Sequence, residues 1–305
     1  MYDDAEPSGP PQRDRLLIAL DVDGTLLDTE YEDRLRPQEV AAIAATRRAG
    51  HVVALCTGRN SRSVNGLLAR SGLAGEELPL VLLNGAVVVG GNPYRRLSHH
   101  LLPREILRRL VLIFRQHAAV AMVYDSDDRG GQLYHERGNT NSVLGRYLSR
   151  RRQTVGAIVE VSDLLTEMPE SALEVGTIDE HARIQALSAQ IRVELAGEVS
   201  VINTESLLSR RAYSWAEVYH RDCSKGRGVL ELAAACGISR DNIIAIGDNY
   251  NDLDMFAVAS HSLAMGNAPT AVRDAADSVI LPVSQNGAAV VLEQIAAGQV
   301  PGRQQ

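Results

Sequence analysis

Four short runs of uninterrupted apolar residues punctuate the chain: LLIAL (16–20), VVALC (52–56), PLVLL (79–83) and IIAIG (243–247). Runs of this length without polar alternation fit strands of a parallel sheet buried on both faces. Helical patterns follow them. PQEVAAIAATRRAG (37–50) has Pro37 near its first turn and Gly50 placed to stop it, SRSVNGLLARSG (61–72) repeats the pattern, and KGRGVLELAAACG (225–237) carries Val229, Leu232, Ala233 and Cys236 at helical spacing. Strand and helix in alternation predict an α/β fold with a doubly wound parallel sheet.

Between the early and late blocks lie roughly 110 residues of another texture. A helix over 103–117, strands AVAMVY and QLYHE, a helix near 141–150, strands AIVEV and ALEVGT, a helix over 180–194 and strands EVSVIN and YSWAEVY often follow one another without an intervening helix. That texture predicts an antiparallel α+β domain inserted into the first. The expected division is an arm over 1–14, a discontinuous core over 15–97 and 209–298, an insert over 98–208 and a tail over 299–305. A chain of 305 residues, 45% hydrophobic, is long enough for two such cores.

The composition narrows the function classes. A net charge of −7 gives no electrostatic footprint for nucleic acid, and Arg150-Arg151-Arg152 reads as a solvated helix end. Cys56, Cys223 and Cys236 are an odd, widely spaced set, which predicts reduced thiols. The opening MYDDAEPSGPPQRD is acidic and rich in Pro and Gly, and no run of 18 apolar residues occurs. The expectation is a cytoplasmic protein with no membrane partner and a disordered arm; oligomeric state is not legible.

Chemistry is concentrated where the apolar runs end. In open α/β sheets ligands bind beyond the carboxyl ends of the strands, and the four runs lead to Asp21, Thr57, Asn84 and Asp248. DVDGT places Asp21 and Asp23 two residues apart, with Gly24 allowing a sharp turn. Carboxylates that close raise one another's pKa unless a cation compensates. GDNYND brings Asp248 and Asp252 to the same edge, and an all-oxygen set of carboxylates suits Mg²⁺. Of the 31 lysines and arginines only Lys225, in SKG, is a lysine.

DVDGTL (21–26), TGR (57–59), SKG (224–226) and GDNYND (247–252), in that order, resemble the four motifs of the haloacid dehalogenase superfamily. The insert between the second and third motifs, NGA at 84–86 and AMGNAPTAVRDAADSV at 264–279 are similar to the Cof-type phosphatases in particular. The resemblance spans about residues 15 to 297. It implies a Rossmann-like core, a large α/β cap of the second type, and Mg²⁺-dependent hydrolysis of a small phosphorylated metabolite, often a sugar phosphate.

By that resemblance Asp21 is the nucleophile that becomes an aspartyl phosphate, and Asp23 the general acid and then base, a role worth about 10²–10⁴-fold. Asp21, the Asp23 carbonyl and Asp248 hold Mg²⁺, Asp252 orients that set, and Thr57, the Gly58 amide, Asn84 and Asn251 serve the phosphoryl group. Lys225 bridges nucleophile and phosphate as a compact point charge that a planar guanidinium could not replace, at a helix N-terminus that favours anions. Asn249 departs from the usual glycine, in a position where asparagine tolerates a left-handed backbone. A phosphomutase of the same superfamily and a catalytically silent sugar-phosphate-binding protein remain alternatives. Asp23 argues against a dehalogenase, which needs no proton donor there.

Other residues read as structural. His99-His100 lacks helical metal spacing and reads as a solvated loop pair, Cys56 as a buried inert thiol, and Trp215 and Tyr219 as packing on a strand. Loops at 125–129 and 139–141 are candidates for facing the leaving group.

Overall fold

The apolar runs form strands, and the reason shows in how their side chains divide. Leu16, Ile18 and Leu20 join a hydrophobic cluster on one face of the sheet, while Leu17 and Ala19 join a second cluster on the other. With both faces covered, no polar alternation survives in the sequence. The computed structural model describes residues 15–29, 31–125, 131–138, 141–154, 158–205 and 213–300. The expected arm over 1–14, residues 301–305 of the tail, and 126–129 and 139–140 of the two candidate loops lie outside the described residues.

The first sheet has eight strands in the spatial order Ser278–Ile280, His261–Met265, Ile243–Gly247, Leu17–Leu20, Val52–Cys56, Leu80–Leu82, Val87–Gly90 and Arg95–His99. The first six are mutually parallel, and the last two add an antiparallel edge. Helices Pro37–Arg48 and Gly287–Ala296 cover one face, and Lys225–Ala235 and Thr270–Ala275 the other. From Leu17–Leu20 the chain winds to one side through Val52–Cys56, and later returns on the other side through Ile243–Gly247. The crevice beyond these strands is therefore the switch point of the sheet, where such folds bind ligands.

The second sheet has six strands in the order Val199–Glu205, Tyr213–His220, Glu174–Glu180, Met122–Tyr124, Leu133–Glu136 and Ile158–Val161. Helices Arg104–Gln116 and His181–Glu194 pack on one face through Leu107, Leu110, Phe114, Ile184, Leu187 and Ile191. Two expectations need correction. Leu133–Glu136 and Ile158–Val161 run parallel, because helix Ser142–Thr154 supplies a crossover between them. The sequence closes the insert at 208, yet Tyr213–His220 hydrogen-bonds between two strands of the second sheet, so a division drawn by strand pairing falls after His220.

One buried side chain in the first helix carries a stability prediction. Glu39 is 1% exposed, and neither carboxyl oxygen has a hydrogen-bond partner among the described residues. Burial pushes its pKa up to about 7, with Arg36 pulling back and Glu32 and Glu293 pushing further. Since the unfolded value is about 4.3, the folded state holds its proton longer. Stability is therefore lost as pH rises from about 4.3 to about 7, and the loss is complete above that. Glu39→Gln is expected to be more stable than wild type by on the order of 3 kcal/mol at pH 8 and close to equal at pH 4. Urea unfolding at the two pH values checks this; an equal gain at both would contradict it.

Candidate active site

Asp21 follows directly from the central strand, its amide bonded to the Ile246 carbonyl of the neighbouring strand at 2.9 Å. The next residues turn back sharply: Gly24 has φ +89°, and its amide donates to the Leu27 carbonyl at 2.8 Å. A Cβ on Gly24 would lie 2.2 Å from Asp248 Oδ2, so the glycine is what lets that carboxylate close on the loop. Thr25 Oγ1 donates to Asp248 Oδ1 at 3.2 Å, and Asn267 Nδ2 donates to the Gly24 carbonyl at 2.9 Å and to Asp248 Oδ2 at 3.4 Å.

Lys225 is the hub. Its side chain is fully buried, and Nζ donates to Asp21 Oδ1 at 2.6 Å and to Asp252 Oδ1 at 2.7 Å. Ser224 caps its helix by accepting from the Arg227 amide. Asp252 is equally enclosed: its other oxygen accepts from the Asp248 and Asn249 amides, both at 2.9 Å. Carboxylate oxygens of Asp21, Asp248 and Asp252 lie within 4.8 Å of one another. Burial pushes the Asp21 carboxyl up to about 7, Lys225 pulling it back and Asp252 and Asp23 pushing further. Burial, then the charges of Asp21 and Asp252, raise Asp248 well above the carboxylate range. Burial alone would lower Lys225, but Asp21 and Asp252 raise it, so the ammonium stays charged.

One ammonium does not balance the two buried carboxylates of Asp21 and Asp252 and the half-buried one of Asp248 beside them. The donors are all oxygen and already converge, so the set fits a hard divalent cation. Asp21 and Asp248 have the oxygens to hold it, whereas both oxygens of Asp252 are engaged in fixing Lys225 and the loop.

Asp23 faces a different partner. Arg59 grips it with two hydrogen bonds, from Nε at 2.7 Å and from Nη2, and Thr29 Oγ1 adds a third at 2.7 Å. Burial would raise this carboxyl, but the charge and hydrogen bonds of Arg59, with Thr29, bring it below its ordinary value. Thr57 is buried at the end of its strand, and its Oγ1 accepts from the Arg59 amide at 3.1 Å. Gly58 follows, close enough that a Cβ would meet Asn84 Nδ2 at 3.3 Å.

The structure thus gathers Asp21, Asp248, Asp252 and Lys225 into one cluster, with Asp23 on the same loop. It also adds finer detail. Lys225 touches Asp21 as expected, and Asp252 as well. Asn84 is fully buried in a left-handed conformation and joins neighbours: Nδ2 donates to Tyr219 Oη at 3.2 Å, and Oδ1 accepts from Asn251 at 3.1 Å. Tyr219 is therefore more than packing, since its hydroxyl also donates to Glu217 at 3.3 Å. Asn249 is extended, with φ −135°, and acts as an N-cap reciprocated by Asp252, so no left-handed turn is required. Asn141 accepts from the Val143 and Leu144 amides and so caps its helix. Sequence reasoning missed Arg59, Thr25 and Asn267, although the first lies in TGR and the last in the run over 264–279.

All three cysteines are unpaired, and burial raises the Cys56 thiol. Among the described residues no helix is long and apolar enough to cross a membrane.

Known proteins resemble this chain in sequence and in fold. A family profile described as haloacid dehalogenase-like hydrolase matches residues 18–292. The chain is 26% identical to the pyridoxal phosphate phosphatase YbhA of Escherichia coli, over 87% of this chain and 92% of that protein. It is 28% identical to the 5-amino-6-(5-phospho-D-ribitylamino)uracil phosphatase YwtE of Bacillus subtilis, over 92% of this chain and 98% of that one. Its fold is similar to the crystal structure of a haloacid dehalogenase-like hydrolase from Bacteroides thetaiotaomicron, with a TM-score of 0.74 and 23% identity over 92% of this chain and 99% of the other.

Proposed function

This chain belongs to the haloacid dehalogenase-like hydrolase family, and from that premise we propose that it is a Mg²⁺-dependent phosphatase of a small phosphorylated metabolite, working through a phosphorylated Asp21. The observation that carries the proposal is the single buried ammonium of Lys225 held between Asp21 and Asp252, with the Asp248 carboxylate beside them.

Asp21 is placed at the switch point with one oxygen fixed by Lys225, which leaves the other to attack phosphorus. Asp21, Asp248 and the Asp23 carbonyl would hold Mg²⁺, which when bound supplies positive charge to the phosphoryl oxygens. Lys225 adds a second, permanent positive charge beside the nucleophile. Asp23 is the proposed acid and base. While Arg59 holds it ionised it is ready only as a base; to donate a proton first, it must be released from that pair. An incoming phosphate dianion offers Arg59 a competing partner of the geometry guanidinium prefers. Thr57 and the Gly58 amide stand at the next strand end as groups for the phosphoryl oxygens, and Asn251 links them through Asn84 to the fourth motif.

The leaving group belongs to the insert. A cavity of about 740 Å³ between the two sheets is lined by His181, Arg192, Asn203 and Ser214 from the insert and by Tyr250 and Asn251 from the acidic loop. That lining suits a leaving group rich in hydroxyl or ring-nitrogen acceptors, the chemistry of a sugar, polyol or vitamin phosphate. YbhA and YwtE are named for substrates of this kind.

A panel of sugar phosphates, pyridoxal phosphate, nucleotides and phosphoglycolate, assayed by phosphate release, tests the proposal. Activity is expected on at least one of them, lost on chelation and restored by Mg²⁺. An undiminished rate after exhaustive chelation would sink the metal's role, and isomerised product in place of free phosphate would favour the mutase alternative.

A further inference from the structure

Away from the acidic cluster, the two places where the chain crosses between the sheets bring together side chains of different chemistry. His100 follows edge strand Arg95–His99, His220 ends strand Tyr213–His220, and Asp222 lies two residues on; one ligand-capable atom of each falls within 4.8 Å of the others. The imidazoles stack with centroids 5.6 Å apart and 11° between their planes. His220 Nδ1 accepts from the Asp222 amide at 3.3 Å, a bond that an ion would replace, and is 3.6 Å from Asp222 Oδ2, near the spacing of neighbouring ligands around a tetrahedral ion with bonds of about 2.0–2.1 Å. Asp222 Oδ1 accepts from Arg227 Nη1 at 2.7 Å, which fixes the carboxylate and leaves Oδ2 to the imidazole side, as outer-shell donors do in metal centres. All three residues are half-buried, and a cleft of about 340 Å³ lined by Ser98, Arg227 and Glu231 opens onto His100 and Asp222.

We propose that His100, His220 and Asp222 form a binding site for a borderline divalent cation of the Zn²⁺ class, and that the bound ion ties the two chain crossings together. Two imidazoles and one carboxylate select such an ion over Mg²⁺, which prefers oxygen alone and so belongs to the Asp21 cluster. Arg227, and Arg221 at 4.0 Å from Asp222, place positive charge beside the site and make its affinity moderate. His100 and His220 sit on the two connections that any movement of the insert must bend. Loading the site therefore restrains that movement, and slows turnover if the insert closes over each substrate. The last step rests on the proposed phosphatase cycle; the binding does not.

Tag-free protein in saturating Mg²⁺ is titrated calorimetrically with Zn²⁺, and Co²⁺ is added separately to read nitrogen ligation from its visible spectrum. One Zn²⁺ per chain is expected. His100→Asn and His220→Asn should each weaken binding by at least about tenfold and abolish the cobalt spectrum, with turnover in Mg²⁺ alone unchanged. Asp222→Asn provides the same comparison if a histidine variant misfolds. Zn²⁺ should slow the wild type and spare the variants. Equal Zn²⁺ affinity in wild type and variants, or no uptake by wild type, overturns the site; Zn²⁺ bound at these residues with turnover unaffected overturns the restraint.

Discussion

Asp21→Asn is expected to lower phosphate release by on the order of 10⁴-fold or more, the scale seen when a covalent nucleophile is removed, while raising the melting temperature of the metal-free protein at pH 8. The two effects share one cause. The carboxyl at position 21 is pushed up to about 7 even with Lys225 in contact, which means that burial and neighbouring acids outweigh the ion pair. Its unfolded value is near 3.9, so the folded metal-free protein loses stability as pH rises from about 4 to about 7 and stays at the lower value above that. Asparagine has the same shape and no charge to desolvate. It can still accept from Lys225 Nζ, so the local hydrogen bonding survives. Calorimetry in chelator and phosphate assays in Mg²⁺ separate the outcomes: turnover within tenfold of wild type would remove Asp21 as nucleophile, and a lower melting temperature would show that the Lys225 contact outweighs burial.

The strands of the first sheet were legible because burial on both faces leaves a continuous apolar run, as the alternate placement of Ile18 and Ala19 in opposite clusters shows. The polar residues at their ends were legible for the same reason: Asp21, Thr57 and Asp248 stop an apolar pattern abruptly. Lys225 stood out through composition alone. What stayed hidden are pairings between distant positions. Arg59 reaches Asp23 across 36 residues of chain, and Asn84 reaches Tyr219 across 135; neither separation has a periodicity to betray it. Asn249 was misjudged for a local reason. A residue after a strand can turn by adopting a left-handed backbone or by capping the next turn, and Asp252, three places on, chooses the cap. The parallel pair in the insert escaped because a short βαβ unit embedded among hairpins has the same composition as its surroundings.

Lys225 is where stability and activity should separate most clearly. Lys225→Met keeps the length of the stem and removes the charge, leaving Asp21 and Asp252 enclosed with no cation between them. Breaking a buried ion pair in this way costs about 3–5 kcal/mol. The loss should depend on pH with a definite sign: without the ammonium the Asp21 carboxyl rises further, so the destabilisation is smallest near pH 5, where that group is protonated, and grows towards pH 8. Mg²⁺ should return part of the stability and little of the activity, because the ion compensates charge but cannot hold both Oδ1 atoms as Nζ does. Lys225→Arg isolates shape from charge. One nitrogen now sits 2.6 Å from Asp21 and 2.7 Å from Asp252 in a pocket with no exposed surface, and a longer, planar group with its charge spread over three nitrogens cannot occupy that point. The arginine variant should therefore unfold closer to wild type than the methionine variant in urea at pH 8, yet lose on the order of 10²–10³-fold in turnover, the scale of removing one preorganised charge-stabilising donor. Near wild-type turnover with arginine at this position would show that any cation suffices there, and would remove the reason for a lone lysine in a chain that otherwise uses arginine throughout.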